Sequence, residues 1–172
     1  MKAKNCLIFG GSGQIGRNLI RKLTKSGYKV TVVTRNIHQK SYIIKTQANA
    51  GYIDIVEAKI FEEDKIRKVF KKADICVNLV GILFEQRKGN TFKNIHTVFP
   101  SLLAKLSKEY NLKHFIHLSA LGINDAKDSY YAKSKLEGES EVFKNFPLAT
   151  ILRPSVVYSV DDNFTTNFMT LL

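Results

Sequence analysis

Tyr131 and Lys135 stand four residues apart within Tyr130-Tyr131-Ala132-Lys133-Ser134-Lys135, at the start of a stretch patterned as a helix. Positions i and i+4 share one helix face, so the phenol and the ammonium are neighbours. A nearby ammonium favours the phenolate and lowers a pKa that is otherwise about 10. A phenol tuned in this way can give or take a proton while a hydride moves. Taken alone, such a pair is common and usually exposed; its meaning depends on the elements that position it.

A second group lies near the N-terminus. In Gly10-Gly11-Ser12-Gly13-Gln14-Ile15-Gly16, glycine recurs at 10, 13 and 16, after the apolar run Cys6-Leu7-Ile8-Phe9 and before an amphipathic run beginning near Arg17. The spacing predicts a tight strand-to-helix turn. Without Cβ atoms its backbone can adopt positive φ and approach a pyrophosphate closely, while Gly16 lets the helix pack down on the sheet. The first-turn amides and the helix dipole, equivalent to about half a positive charge, then face the phosphates.

Strand-like and helix-like runs alternate along the whole chain. Strands are predicted at 4–9, 28–34, 52–56, 73–80, 114–119 and 148–152, and helices at 13–26, within 36–51, and at 62–72, 91–110 and 129–144, with Pro100 kinking the fourth helix. This alternation implies an α/β fold, a doubly wound parallel sheet of Rossmann type with helices on both faces and strand order 3-2-1-4-5-6. Ligands of such sheets sit beyond the carboxyl ends of the strands, which places Gly81, after the fourth, beside a nicotinamide. Arg35 ends the second strand, where a carboxylate would select NAD through the ribose 2′-hydroxyl and an arginine suits a 2′-phosphate, so NADP(H) is favoured over NAD(H). A surface arginine without a ligand is the alternative at that position.

Composition narrows the function classes. The 172 residues are 44% apolar and 24% charged, with net charge +12, which is room for one soluble globular domain. No stretch is long and apolar enough to span a bilayer, and no signal or transit peptide is read at the N-terminus. Cys6 and Cys76 lie in apolar runs without metal-ligand spacing, which predicts buried, reduced thiols and a cytoplasmic setting. His38, His96, His114 and His117 are single histidines with no ligand partners, so no metal site is expected. The lysines are scattered over predicted helix faces, without the aromatic interleaving or helix-turn-helix pattern of nucleic-acid binders, so no nucleic acid is expected. Attraction to an anionic membrane surface or an acidic partner stays open.

Together these motifs resemble the short-chain dehydrogenase/reductase superfamily of extended or atypical type, whose members include the epimerase/dehydratase-like proteins. The resemblance runs through Gly10-x-x-Gly13-x-x-Gly16, Asn78-Leu79-Val80-Gly81, Ser119, Tyr131-x-x-x-Lys135 and Leu152-Arg153-Pro154-Ser155-Val156-Val157-Tyr158. Within it, Val77 to Gly81, Leu106-Ser107-Lys108-Glu109, Phe115 to Ser119 and Asp162-Asn163-Phe164 are most similar to the branch holding the NADPH-binding accessory subunit of respiratory complex I and its bacterial relatives. The resemblance implies that Gly10, Gly13 and Gly16 cradle the pyrophosphate, with backbone amides from Ser12, Gly13, Gln14 and Ile15. It implies that Arg35 holds the 2′-phosphate and that Gly81, Lys135 and Pro154 border the nicotinamide end, while Tyr131, Lys135 and Ser119 form the catalytic set.

This chain departs from the family pattern in three places: Ala58-Lys59-Ile60 stands where an acid or amide often meets the adenine, Ala120 where the active hydroxyl often falls, and Ser159 where a glycine is usual. Residues 1–160 are read as the nucleotide-binding domain and 161–172 as the start of a C-terminal region, with the family's substrate-pocket region largely absent. Two main readings follow from the resemblance. One is a cofactor-binding structural or assembly protein associated with a membrane-bound respiratory complex or quinone metabolism, peripheral at the inner face of the membrane. The other is an active oxidoreductase or epimerase acting on a sugar nucleotide or small carbonyl compound. A redox-sensing regulator that binds NADP(H) and a protein partner is a third.

Overall fold

The short apolar runs become parallel strands. In the computed structural model, which describes residues 4–86 and 89–159, these are β1 (Asn5–Phe9), β2 (Lys29–Thr34), β3 (Ile53–Glu57), β4 (Ile75–Asn78), β5 (His114–Leu118) and β6 (Thr150–Leu152). They form one sheet in the order β3-β2-β1-β4-β5-β6, the doubly wound order expected from the sequence. Every neighbouring pair is parallel, with Leu7 of β1 opposite both Thr31 and Cys76. The connections are α1 (Gln14–Lys25), α2 (Ile37–Lys45), α3 (Glu63–Phe70), α4 (Phe99–Glu109) and α5 (Tyr130–Asn145).

Because successive strand residues point to opposite faces, one sheet makes two cores. Leu7, Phe9, Cys76 and Phe115 pack against α3, α4 and α5 through Ile66, Phe70, Leu103, Leu106 and Val142. Cys6, Ile8, Val32 and Val77 meet Ile20 of α1 and Ile44 of α2 on the other face. Each such fully buried aliphatic or aromatic side chain contributes roughly 1.5–3 kcal/mol. Phe9 anchors the first core, stacked on Phe70 at 6.3 Å and meeting Phe99 edge-on at 5.4 Å. Both cysteines are free and buried, and burial pushes the Cys6 thiol up to about 12, in agreement with the reduced thiols expected.

Two helix boundaries show how local chemistry sets the frame. α1 stops at Gly27, whose φ of +80° lets its N–H bond Thr24 O and lets Tyr28 N–H bond Leu23 O, each at 3.0 Å. The helix expected at 91–110 differs from the reading: a π-helical turn at Lys93–Val98 runs into α4, and Pro100 lies in the first turn of α4. Proline offers no N–H to the carbonyl four residues back, that of His96, and its ring would crowd it in a regular α turn. The wider turn relieves that crowding. The His96 carbonyl instead presses on α5, where a Cβ at Gly138 would lie 1.8 Å from His96 O and 2.9 Å from its carbonyl carbon. β4 is also shorter than expected, because Asn78 turns its Oδ1 back to Val80 N–H at 3.1 Å. The expected C-terminal region at 161–172, including Asp162-Asn163-Phe164, lies outside the described residues.

The Gly138 contact involves backbone on both sides and has little room to relax. Gly138→Ala should destabilise the fold by at least about 3 kcal/mol, the upper end of overpacking costs. Gly27→Ala has only its positive φ to overcome, with nothing within 4 Å of an added Cβ, and should cost about 1 kcal/mol. Urea denaturation of the two variants checks this, and equal midpoints would refute the close contact.

Candidate functional site

A cleft of about 240 Å³ opens at the carboxyl ends of β1, β2, β3 and β4. The turn after β1 contributes Gly10, Ser12 and Gly13, the ends of β2 and β3 contribute Arg35 and Lys59, and the end of β4 contributes Gly81 and Ile82. Ile60, Ile66, Ile95 and Phe99 supply apolar floor and wall. Five of the sequence-predicted cofactor positions, Gly10, Ser12, Gly13, Arg35 and Gly81, therefore meet in one place.

The glycines of the turn divide the work. Gly10 alone has positive φ, +85°, and a Cβ there would lie 3.0 Å from the Leu79 carbonyl carbon. Gly13 sits at φ −75° as the cap of α1, its N–H bonded to Gly10 O at 3.1 Å. Gly16 is buried, and an added Cβ would lie 2.5 Å from Gly10 O, so it serves helix packing and does not line the cleft. Gln14 and Ile15 likewise enter only through the first turn of α1, whose leading N–H groups have no intrahelical acceptor. No side chain caps that terminus and no acid lies in its first turn. Gly11 was not singled out in the sequence, yet a Cβ there would be 2.6 Å from Val32 Cγ1.

Arg35 is exposed at the mouth, with Nη1 donating to Asn90 Oδ1 at 3.3 Å. Asn90 is itself held by the loop, its carbonyl accepting Gln86 N–H at 3.0 Å. Lys59 is fixed at the backbone, its N–H donating to Glu62 Oε2 at 2.9 Å. The cleft therefore holds two cations at its β2–β3 end, and no carboxylate is among the described residues lining it.

Beyond Gly81 lies a buried polar cluster beneath α5. Lys135 Nζ donates to Leu118 O at 3.2 Å, and a Cβ on Gly81 would come within 3.4 Å of that nitrogen. Burial lowers the Lys135 pKa to about 8, against the opposing pull of the Glu139 carboxylate. Tyr131 does not show the lowered pKa expected of it: burial pushes the phenol up. The physical reason is placement, since Lys135 Nζ is 5.9 Å from the ring centroid and committed to Leu118, while the ring packs edge-on against His96 at 5.2 Å and Phe92 at 5.9 Å.

The remaining predicted positions lie off the cleft. Ser119 is buried and turned toward Glu139, without a hydrogen bond of ordinary geometry. Pro154 does not line the cleft; its carbonyl accepts Leu121 N–H at 2.9 Å. Burial pushes the Glu139 carboxyl up, but the paired bonds from Arg153, with Nε at 2.9 Å from Oε1, hold it below the usual carboxylate value.

Two histidines that carry no signal in the sequence organise this cluster, and both are 0% exposed. Ile82 N–H donates to His96 Nε2 at 3.1 Å, so the ring proton sits on Nδ1, which lies 2.9 Å from Ser134 Oγ. Ser134 in turn donates to Tyr131 O at 2.7 Å. One chain of bonds thus runs from the Gly81–Ile82 wall of the cleft to the first turn of α5. Asn78 Oδ1 is taken by Val80 N–H, so its Nδ2 donates to His117 Nδ1 at 3.1 Å and leaves the His117 proton on Nε2. Burial, reinforced by the Lys135 charge, lowers His96 to about 3 and His117 to about 4. The available signal was a polar residue in each of two neighbouring apolar strands, Asn78 and His117.

Both histidines are neutral when folded and take up a proton when unfolded, so stability is full above about pH 6.5. It should fall as pH drops through the window toward 4 for His117 and 3 for His96, by at most about 1.4 kcal/mol per pH unit for each. His96→Phe keeps an aromatic ring, though a larger one, and removes the acceptor, so the Ile82 amide should lose hydrogen-exchange protection and the acid slope should shrink. An unchanged Ile82 exchange rate would refute the assigned bond.

The comparisons with known proteins agree with the fold. The chain is 30% identical over 161 residues to mouse "NADH dehydrogenase [ubiquinone] 1 alpha subcomplex subunit 9, mitochondrial", covering 94% of this chain and 42% of that protein. It is 25% identical to the Neurospora crassa "NADH-ubiquinone oxidoreductase 40 kDa subunit, mitochondrial", covering 90% and 41%. The chain thus spans less than half the length of these curated relatives. Among solved structures, the Bacillus cereus UDP-glucuronic acid 4-epimerase in complex with NAD superposes with a TM-score of 0.75 at 23% identity, over 90% of this chain and 57% of that one. At that identity the likeness shows the fold alone. The family model for the NAD dependent epimerase/dehydratase family matches residues 6–172, and the chain, with its glycine turn at the head of a 3-2-1-4-5-6 sheet, belongs to that family.

Proposed function

We propose that this chain binds NADP(H) in preference to NAD(H) and holds it in a structural or assembly role, associated with a membrane-bound respiratory complex or quinone metabolism. The observation that carries the cofactor reading is the charge of the cleft: Arg35 and Lys59 stand at its β2–β3 end with no carboxylate among the described lining residues. A ribose 2′-phosphate suits two cations, and the free N–H groups of α1 suit the pyrophosphate. When bound, the dinucleotide supplies hydride chemistry. The residues of this chain hold it: Gly10 and Gly13 by close backbone approach, Arg35 and Lys59 by charge, and Gly81 at the far end beside Lys135.

Similarity to two respiratory-complex subunits supports the association, and the setting is read as cytoplasmic and peripheral at the inner face of the membrane. No helix among the described residues is long and apolar enough to cross a membrane. The holding role is supported by Tyr131, whose pKa is raised and whose ring meets the stacked pair of His96 and Phe92 edge-on. The second reading, an active oxidoreductase or epimerase, draws on one observation, the approach of Lys135 Nζ to Gly81.

Calorimetric titration with NADPH and NADH tests the proposal. NADPH should bind about ten- to a hundredfold more tightly, the worth of one or two charge-assisted bonds to the 2′-phosphate, and Arg35→Asp should abolish that preference. Tyr131→Phe should leave NADPH binding unchanged. Equal affinity for the two dinucleotides would overturn the specificity, and turnover of a carbonyl compound or sugar nucleotide that disappears in Tyr131→Phe would replace the holding role by catalysis.

A further inference from the structure

All strands run one way and the connecting helices run back, so residues that lead into strands and residues that close helices share the end of the sheet opposite the cleft. Lysines collect there. Lys4, Lys29, Lys72 and Lys113 lead into β1, β2, β4 and β5, and all are exposed. Backbone and side-chain bonds knit them into a row: Lys29 N–H to Lys4 O at 3.0 Å, Asn5 Nδ2 to Lys72 O at 2.9 Å, and Lys113 N–H to Asp74 O at 2.9 Å. Lys25, Lys45 and Lys108, in the last turns of α1, α2 and α4, widen the row. Six strands spaced as in any sheet make this end about 24 Å wide.

The row is not neutralised from within. The ion pairs among the described residues involve Lys65, Arg67, Lys144 and Arg153, and none of these seven lysines. Of the nearby acids, Asp74 Oδ2 accepts Asn5 N–H at 2.8 Å and Glu109 is held by Arg67 at 2.6 Å, while Asp54 stands exposed near the start of β3, so seven lysines face few carboxylates. Helix dipoles account for lysines in last turns. They do not account for Lys4, Lys29, Lys72 and Lys113, which stand at strand starts.

We propose that this basic end is a docking face for an anionic phospholipid surface. Its chemistry separates a bilayer from other polyanions. The charges left unpaired are lysines on long stems spread over a broad end, and Arg67, in the last turn of α3, is taken up by Glu63 and Glu109, which suits summed attraction to mobile headgroups. Protein–protein interfaces deplete lysine and favour arginine and aromatic anchors, and base reading by nucleic-acid binders uses a helix or ribbon fitted to a groove. At the β6 end of the same edge, Leu148 is 86% exposed and adds an apolar contact to the basic row. Docking here leaves the cleft open on the far side. The inference names a surface for the peripheral placement proposed above and does not depend on what the cleft binds.

The test is sedimentation of the full chain with vesicles of phosphatidylcholine alone or with about a third phosphatidylglycerol. Binding should require the anionic lipid and weaken with salt. The triple variant Lys29→Gln, Lys72→Gln, Lys113→Gln should lose roughly a hundredfold in partition, about fivefold per charge, and the corresponding Glu triple more. Lys40→Gln, Lys127→Gln, Lys133→Gln, exposed at the cleft end, remove the same charge and should change partition much less. Equal losses in the two Gln triples would reduce the effect to net charge and overturn the proposal. So would the absence of binding to anionic vesicles, or retention by polyglutamate or duplex DNA alone, which would assign the face to an acidic protein or to nucleic acid. NADPH titration of the same variants reads the cleft separately, so failure of one reading is distinguishable from failure of the other.

Discussion

The arrangement under α5 depends on one missing hydrogen-bond donor. Pro100 cannot bond the carbonyl of His96, the preceding turn widens, and that carbonyl comes to rest on Gly138. The contact lets the π turn and α5 approach closely, as only a glycine at 138 permits. With the backbones that near, the His96 ring reaches Ser134 on one side and Ile82 on the other. A local backbone irregularity therefore fixes the distance between the cleft wall and the helix that bears Tyr131 and Lys135. A straight α-helix through 91–110 would present His96 differently and would have no need of a glycine at 138.

Much of the fold was legible because it rests on period and punctuation. Apolar runs of strand length, separated by helical patterns and closed by Gly10 and Gly27, leave few alternatives to a doubly wound parallel sheet. The cleft was legible for the same reason: in this topology the residues after β1, β2 and β4 converge, and Gly10, Gly13, Arg35 and Gly81 follow those strands in the sequence. What was not legible depends on long-range packing. The paths of Ser119 and Pro154 are set by backbone bonds to Leu152 and Leu121, neither of which their local sequence announces. His96 belongs to no motif, His117 enters only as part of the Phe115 to Ser119 stretch, and their roles come from partners 38 and 39 residues away. Lys59 read as a departure from a family pattern, and only the cleft shows it beside Arg35.

Charge is partitioned along the strand axis. At the cleft end three cations are held by specific partners: Arg35 by Asn90, Lys59 through its backbone by Glu62, and Lys135 buried against Leu118. At the opposite end Lys4, Lys25, Lys29, Lys45, Lys72, Lys108 and Lys113 are exposed and have no ion pair among the described residues. The same ammonium group therefore works in two regimes. Buried, its desolvation is large enough to move a pKa, as at Lys135; exposed, each charge counts for little alone and matters through the sum. The net charge of +12 consequently describes a surface more than a site.

Catalysis by a tyrosine and lysine pair needs the phenolate to become accessible near neutral pH, and the local balance here runs the other way. Burial raises Tyr131, and the ammonium that would oppose it points to a backbone carbonyl. Lys135, lowered to about 8, is still mostly protonated at pH 7, so it has the charge to tune the phenol but not the position. Turning it toward Tyr131 would give up the bond to Leu118 O, at a net cost of about 1.5–3 kcal/mol for a bond from a charged donor. The geometry thus gives the Lys135 ammonium a backbone carbonyl as its partner and leaves the Tyr131 phenol to the effect of its own burial.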